Sequence, residues 1–306
     1  MLLFTHPSML GHRPPRGHAE HAGRLEAVLE ALQGLGLDRR EAPFAEREAL
    51  TRVHPGSYLD ALEQAFGKTS EGIVQLDPDT FISSGSREAA FRAAGACIAA
   101  VDAVLANQGD LAFCAVRPPG HHAEPEQAMG FCLFNNVAVA AKHALAHHAL
   151  KRVAIVDFDV HHGNGSQTVA EHDERILFAS THQSPLYPGT GAASEHGPAN
   201  NVLNAPLPAG AGAELWRQAM QDQILPAIDA WRPELILVSA GFDAHLADPL
   251  AQMELSEADF AWAGRALQEL SLRHCKGKLV STLEGGYDLG ALARSAVAYL
   301  GALQRD

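Results

Sequence analysis

The chain contains little cysteine and no long hydrophobic run. Four of its 306 residues are cysteines, and no two of them form a C-x-x-C pair. This scatter argues against a thiolate zinc site and favours a reducing compartment. No apolar run approaches the ~20 residues of a membrane-spanning helix, and the opening MLLFTHP is too short and lacks the basic flank of a signal peptide. We therefore expect a soluble cytoplasmic protein with no membrane partner.

Basic residues are also in the minority, because 23 Lys and Arg stand against 36 Asp and Glu, a formal net charge of -13. Such a chain is a poor ligand for a phosphate backbone, so we exclude nucleic acid as a partner. Basic peptides or polyamines would be attracted instead. Apolar residues make up 47% of the sequence, which is ample for a core, although length alone does not decide between one domain and two.

Strand and helix patterns alternate along most of the chain. Residues 2–5 are predicted to form an edge strand, and helices are predicted near 23–34, 58–66 and 87–107. Further predicted strands cover 111–116, 153–159, 176–180, 235–239 and 278–282, and helices cover 134–149, 164–171, 215–230, 256–272 and 289–303, with a long loop at 181–201. This order predicts a parallel sheet covered on both faces. Because no linker or repeat interrupts it, we predict one α/β domain over residues 1–306, an open, mostly parallel sheet flanked by helices on both faces.

The rest of the chain is organised around residues 154–165, which read AIVDFDVHHGNG. Asp157, Asp159 and His161 alternate, so they point the same way from an extended backbone. Ligands of open α/β sheets bind at the carboxyl ends of the strands, and carboxylate with imidazole suits a divalent metal. A polar turn after a strand is the alternative interpretation.

Two adjacent histidines follow another predicted strand in the sequence RPPGHH, at residues 117–122. Proline and glycine stiffen this loop, so His121 and His122 can both reach one pocket. Histidine titrates near neutral pH and suits general acid–base catalysis. The other pair, His147 and His148, lies near a helix end beside two basic residues and is predicted to be solvated surface.

A third candidate metal ligand, Asp243, follows an apolar strand in the sequence SAGFDAH. With Asp159 and His161 it makes two carboxylates and one imidazole. Three protein ligands leave a tetrahedral metal one open position, which is typical of catalytic zinc. Zinc lowers the pKa of a bound water to ~7 and so supplies a nucleophile at neutral pH.

Two weaker motifs add an aromatic wall and a hydroxyl. In GFCLFNN, Gly130 permits close approach of the backbone to a ligand and Phe131 can form a wall, although a core aromatic is the ordinary alternative. In LEGGYD, Tyr287 on a Gly-Gly turn can donate its O–H to a developing oxyanion, although an ordinary turn tyrosine is the alternative.

These motifs occur in an order that resembles a known family. RPPGHH, GFC-F-NN, DFDVHHGNG, SAGFDAH and EGGY follow one another from about His6 to the last helix. The chain thereby resembles the zinc-dependent histone deacetylase superfamily, in its class II and bacterial deacetylase-like branch. The resemblance implies an arginase/deacetylase-like fold.

The resemblance also implies roles for individual residues. Asp159, His161 and Asp243 would bind one zinc ion beside the imidazoles of His121 and His122. Asp157 would orient His121, and Asn164 would orient His122 at a position where other branches carry Asp. Since a carboxylate favours imidazolium, the amide should leave His122 more easily neutral.

The remaining implied roles concern the substrate and a second cation. Tyr287 would polarise the amide carbonyl, and Gly130, Phe131 and Tyr187 would line the substrate tunnel, although the family usually has Phe at the last of these positions. A structural monovalent cation, usually potassium, would be held by the carbonyls of Asp157, Asp159 and His161 together with Ser180.

Three other functions compete with that of a lysine deacetylase. Arginase-type chemistry needs further carboxylates for a second metal, but the positions concerned hold Gly163 and His245. A catalytically inactive acyl-lysine reader should lack some catalytic part, and none is missing. An acetylpolyamine deacetylase needs a carboxylate at the rim, where the family register places Leu250 with Asp248 and Glu254 nearby. We therefore predict hydrolysis of acyl-lysine in a peptide or protein, with acetylpolyamine as the alternative substrate and with acyl-chain length and oligomeric state left open.

Overall fold

Parallel strands form the centre of the molecule. The computed structural model describes residues 1–304, so the last two residues of the predicted 1–306 domain, Arg305 and Asp306, lie outside the described residues. The strands are β1 (Leu2–Thr5), β2 (Asp38–Glu41), β3 (Val74–Asp77), β4 (Thr80–Ile82), β5 (Leu111–Cys114), β6 (Val153–Asp157), β7 (Ile176–Gln183), β8 (Val202–Leu207), β9 (Leu235–Ala240) and β10 (Leu279–Leu283). Eight of them form one sheet in the order β2-β1-β5-β10-β9-β6-β7-β8, with every neighbouring pair parallel.

Helices connect these strands and cover the sheet. They are α1 (Gly23–Ala31), α2 (Arg47–Leu50), α3 (Gly56–Gly67), α4 (Ser86–Leu105), α5 (Asn136–His147), α6 (Asn164–Glu171), α7 (Ala213–Ala219), α8 (Leu225–Trp231), α9 (Glu257–His274) and α10 (Leu289–Leu303). A π-turn at Met220–Ile224 joins α7 to α8. A capping box begins α9, since Asp259 accepts a hydrogen bond from the Ser256 backbone N–H. Among residues 1–304, no helix is both long and apolar enough to cross a membrane.

The predicted α/β architecture is confirmed, and the central strands explain it. Every residue of β6, β9 and β10 is buried. A strand covered on both faces must be apolar at consecutive positions, so these strands read as continuous runs rather than alternating ones. The buried residues form one core that reaches from Leu2 to Leu303.

Residues 2–5 form a strand as predicted, but the prediction that this strand lies at the edge of the sheet was wrong. β1 pairs with β2 on one side and with β5 on the other. The edge is β2, whose sequence DRRE has no apolar pattern and was not predicted; charged side chains are common on edge strands because they discourage further pairing.

The opposite edge was also predicted incompletely. β7 continues to Gln183, three residues beyond the predicted end, and the missed strand β8 pairs with it. β8 contains Pro206, which cannot donate to a ladder and is therefore tolerated on an edge strand. Separately, β3 and β4 form an antiparallel hairpin about a turn at Asp77-Pro78-Asp79-Thr80.

A buried charge cluster joins the N-terminal loop to the loop after β5. Glu20 accepts hydrogen bonds from Arg24 Nη1 at 3.2 Å and Arg117 Nη2 at 2.8 Å, and His12 Nε2 lies 3.5 Å from its carboxylate. All four residues are almost completely buried. Burial raises the pKa of the Glu20 carboxyl, but Arg117, His12 and Arg24 outweigh it and hold the pKa well below its ordinary value. The Glu20 carboxyl is therefore ionised, and this one carboxylate is shared by two guanidinium groups.

We expect Glu20→Gln to destabilise the fold by about 3–5 kcal/mol, because removing one partner leaves buried charges uncompensated. Urea unfolding followed by circular dichroism measures the change. The matched control is Glu63→Gln, which removes the partner of Arg87 in a solvent-exposed pair at 2.7 Å and should cost at most ~1 kcal/mol. Equal unfolding midpoints for the two variants would contradict this account.

Candidate active site

The carboxyl ends of adjacent strands bring the predicted site residues together. β5, β10, β9 and β6 are neighbours in the sheet. The loops that follow them carry the motifs at 117–122, 284–287, 241–245 and 158–163, in that order. Parallel strands end at one edge, so four segments far apart in sequence meet there.

Asp159, His161 and Asp243 converge as predicted. One potential ligand atom from each lies within 4.8 Å of the others, and all three residues are buried. The Nδ1 atom of His161 is 3.1 Å from Asp159 Oδ1 and 3.2 Å from Asp243 Oδ2. Ligand atoms 2.0–2.2 Å from a tetrahedral zinc ion are about 3.3–3.6 Å apart. The donor set and its spacing therefore fit zinc with little adjustment.

Backbone amides hold the two carboxylates in this arrangement. The N–H groups of His161 and Gly285 donate to Asp159 at 2.9 and 2.8 Å, and the N–H of Val160 donates to Asp243 at 2.9 Å. A Cβ atom at Gly285 would overlap the carboxylates of Asp159 and Asp243. Only glycine therefore allows the EGGY turn to come close enough to donate.

His121 is oriented by Asp157, as predicted. Its Nδ1 donates to Asp157 Oδ2 at 2.9 Å, and both residues are buried. Burial lowers the pKa of His121, but the carboxylates of Asp157 and Asp159 outweigh it and raise the pKa to about 10. The His121 ring therefore favours the protonated form in this environment.

His122 is oriented by Asn164, and the hydrogen bonds of the amide set the tautomer of the ring. Asn164 Nδ2 donates to Glu124 at 2.6 Å, so its Oδ1 faces His122 Nδ1 at 2.8 Å and accepts. His122 then carries its proton on Nδ1 and keeps a lone pair on Nε2. Burial and the neighbouring rings of His121 and His161 hold the pKa of His122 well below its ordinary value. The two imidazoles, whose centroids are 4.0 Å apart, therefore have opposite protonation preferences.

A cavity of about 260 Å³ leads to this cluster. Its walls include the predicted tunnel residues Gly130, Phe131 and Tyr187 and the predicted rim residue Leu250. The other lining residues are Asp79, Pro119, His121, His122, His161, Leu186, Gly285 and Tyr287. The Tyr187 ring stands edge-on to the His122 ring, with the two centroids 5.0 Å apart, and forms one wall of the cavity. The cavity is narrow and largely apolar, so it fits a slim aliphatic chain.

The opposite wall depends on an unusual backbone. Gly130 and Phe131 both have positive φ, 55° and 68°. A Cβ at Gly130 would overlap the His122 ring, and the Phe131 N–H donates to the Thr80 hydroxyl at 3.0 Å. A non-glycine residue in this region is strained, and such strain is typical of functional sites.

Tyr287 lies at the cavity beneath a buried guanidinium group. Arg24 is centred 4.7 Å from the tyrosine ring. Burial raises the pKa of Tyr287 well above its ordinary value although Arg24 opposes this, so the phenol is protonated and can donate at neutral pH. Its backbone N–H donates to Asp248 Oδ2 at 2.7 Å, and Asp248 Oδ1 accepts from the Leu250 N–H at 3.0 Å.

Sequence reasoning missed several residues that shape the site. Glu284 is fully buried and accepts the N–H groups of Gly120 at 2.7 Å and His121 at 3.2 Å, so it fixes the histidine loop. The sequence did carry a signal for Glu284, because it is an acidic residue directly after a buried strand, in the EGGY motif. Asp79 gave no comparable signal, because its segment reads as an ordinary turn and only the folded hairpin carries it to the cavity.

Ser180 lies beside the site rather than in it. It is paired with Asp157 across β6 and β7, and its Oγ is 2.9 Å from His182 Nδ1. Ser180 is therefore next to the segment expected to hold a monovalent cation, and the cation itself stays a prediction.

Comparisons with known proteins bear on the family and the fold. The family model of the histone deacetylase domain matches residues 18–303. The chain is 44% identical to a histone deacetylase-like amidohydrolase of Pseudomonas aeruginosa, over 90% of this chain and 74% of that protein. It is 38% identical to the chloroplastic histone deacetylase 14 of Arabidopsis thaliana, over 96% and 74%. A crystal structure of the HDA15 HD domain superposes with a TM-score of 0.93 at 33% identity, covering 100% of this chain and 91% of that one.

The Gly285 contact gives a prediction for metal binding. Gly285→Ala should weaken zinc binding by about 10- to 100-fold, because the added methyl displaces a hydrogen-bond donor from a ligand carboxylate. Competition with a chromophoric chelator measures the affinity. The control is Gly301→Ala in α10, where a Cβ has no neighbour within 4 Å. Unchanged zinc affinity in Gly285→Ala would show that the close approach is not needed.

Proposed function

The chain belongs to the histone deacetylase family, and we propose that it is a zinc-dependent amidohydrolase that removes acetyl or other acyl groups from lysine side chains. The observation that carries the proposal is the Asp159, His161 and Asp243 set beside the His121 and His122 pair at one cavity. Residues 1–306 would act as one catalytic domain. When bound, zinc would supply Lewis-acid activation of a carbonyl and of a water molecule.

The two histidines would divide the proton transfers. His122 is the proposed general base, because its Nδ1 is committed to Asn164 at 2.8 Å and Nε2 keeps a lone pair. That lone pair would accept the proton of the attacking water. His121, held by Asp157 at 2.9 Å, would stabilise the charge that develops and, with its neighbour, return a proton to the leaving amine.

Tyr287 would stabilise the negative charge that forms on the amide oxygen. Its buried phenol is protonated, and it lines the same cavity as both histidines. A hydrogen-bond donor that is already in position before the reaction stabilises the oxyanion most, because no dipole has to reorient when the charge forms. Arg24 against the ring and Asp248 on the backbone N–H would hold this donor in place.

The cavity walls support a substrate with a slim methylene chain. Phe131 and Tyr187 would flank the chain, and Leu250 would contact it near the rim. An acyl-lysine in a peptide or protein offers such a chain. We also propose a structural potassium ion on the carbonyls of Asp157, Asp159 and His161 with Ser180.

Acetylpolyamine is the second candidate substrate, and Asp79 is the observation that favours it. Of the cavity-lining residues in the described part of the chain, Asp79 supplies the one carboxylate outside the catalytic groups. Burial and the neighbouring Asp77 raise its pKa to about 6, so it is anionic above neutral pH. It could receive a distal ammonium group, whereas Leu250 offers only apolar contact.

The other partner and location assignments are also proposals. The acidic charge of -13 supports basic peptide substrates over nucleic acid. The four cysteines are free and buried, which supports the proposed cytoplasmic location. The acyl-lysine reader is disfavoured, because the metal set, both oriented histidines and the tyrosine meet at one cavity.

Two variants test the chemistry together. Asp159→Ala should lose both bound zinc and activity, whereas Tyr287→Phe should keep zinc and lose about 100- to 1,000-fold in kcat, because it removes one oxyanion donor. Metal analysis and turnover of an acetyl-lysine peptide, with and without a chelator, provide the measurements. Near-wild-type turnover in Tyr287→Phe would refute its role, and full activity in metal-free protein would refute the proposed function.

The substrate choice is tested by a ratio. At pH 8 the kcat/KM for an acetyl-lysine peptide should exceed that for acetylspermidine, and Leu250→Glu should shift the ratio toward the polyamine by adding a partner for its ammonium group. Leu250→Gln is the matched control, since it is polar without charge and should not produce the same shift. A wild-type preference for the polyamine that disappears in Asp79→Asn would overturn the assignment in favour of the second candidate.

A further inference from the structure

Three imidazoles and a carboxylate gather at the far end of α5 from the active site. The first residues of α5 contact the catalytic loop, because Asn136 Nδ2 donates to the Pro118 carbonyl at 3.2 Å. The helix is 12 residues long, which places its other end about 18 Å away. That end carries His143, His147 and the C-cap residue His148.

The neighbouring helix α4 supplies the carboxylate. Asp102 Oδ1 is 2.7 Å from His143 Nε2 and 2.6 Å from His148 Nε2, so two rings from α5 converge on one oxygen of α4. One potential ligand atom from each of the three residues lies within 4.8 Å of the others. His147 is exposed, and its ring stacks on His143 at 5.0 Å with an interplanar angle of 16°. His147 stacks on this cluster, and the group of mutually close ligand atoms is Asp102, His143 and His148.

Burial and ionisation also characterise this cluster. His143 is more than nine-tenths buried and faces Asp102 through Nε2. Burial raises the pKa of Asp102, but hydrogen bonds from His143 and His148 outweigh it and lower the pKa to about 2. The carboxylate is therefore an anion throughout the physiological range.

We propose that Asp102, His143 and His148 form a second divalent transition-metal site that binds Zn²⁺. Mixed imidazole and carboxylate ligands suit zinc, nickel or copper, whereas magnesium and calcium take oxygen ligands. Ligand atoms of a tetrahedral zinc are about 3.3 Å apart, so the rings must withdraw from Asp102 by about half an ångström. The ion would replace the two protons that the histidine rings share with Asp102, and it would link α4 to α5. Its charge would lie at the C-terminus of α5, where the helix dipole favours cations.

The test compares zinc content between variants of the full chain. Each protein is equilibrated with micromolar Zn²⁺ in excess Mg²⁺, freed of unbound metal by gel filtration and analysed for zinc per chain. Wild type should retain one equivalent more than the His143→Ala/His148→Ala variant. His172→Ala, which removes an exposed histidine of the neighbouring loop, is the control and should match wild type.

Asp102→Asn tests the charge with little change of shape, and it should lower the affinity of the second equivalent at least tenfold. If the double variant does not fold, His148→Ala at the half-exposed C-cap gives the same comparison. Equal zinc content in wild type and these variants would overturn the proposal. The site is independent of the proposed function: failure at the catalytic ligands lowers the zinc content of all variants equally, whereas failure here abolishes only the difference between them.

Discussion

The structure depends on compensating four buried carboxylates at one edge of the sheet. They belong to Asp157, Asp159, Asp243 and Glu284, and each is at most 1% exposed. Like charges so close cannot persist in a low-dielectric interior without counter-charge or donors. Each carboxylate accepts at least one backbone N–H from the loops around it. The loops therefore close around these carboxylates, and the proposed zinc ion would compensate their charge.

This constraint explains why the centre of the site could be predicted. Asp157 and Asp159 are two residues apart at the end of a buried strand, so strand geometry points their side chains the same way. Their edge of the sheet is fixed by the parallel order of strands. Asp243 follows the same rule on another strand. Local pattern and global topology agree here, so the metal set and the histidine pair were accessible from sequence.

The rest depends on contacts between distant segments, which no local pattern encodes. β8 was missed because Pro206 and Asn204 obscure an edge strand that exists only because β7 offers it a partner. Glu20 was missed because its role comes from guanidinium groups in other elements. Asp79 reaches the cavity through a hairpin that reads as a turn. The histidines at the end of α5 looked like solvated surface until α4 was seen to place Asp102 between two of them.

Asp248 has a consequence for how such a site can diverge. One carboxylate accepts the backbone N–H groups of Tyr287 and of Leu250, at 2.7 and 3.0 Å. The residue proposed to contact the substrate at the rim and the tyrosine proposed to donate to the amide carbonyl are therefore held by the same carboxylate. Insertions or deletions in this loop would move the tyrosine along with the rim. New selectivity can evolve here through exchange of the side chain at position 250 on a fixed backbone, but remodelling of the loop would carry a cost in turnover.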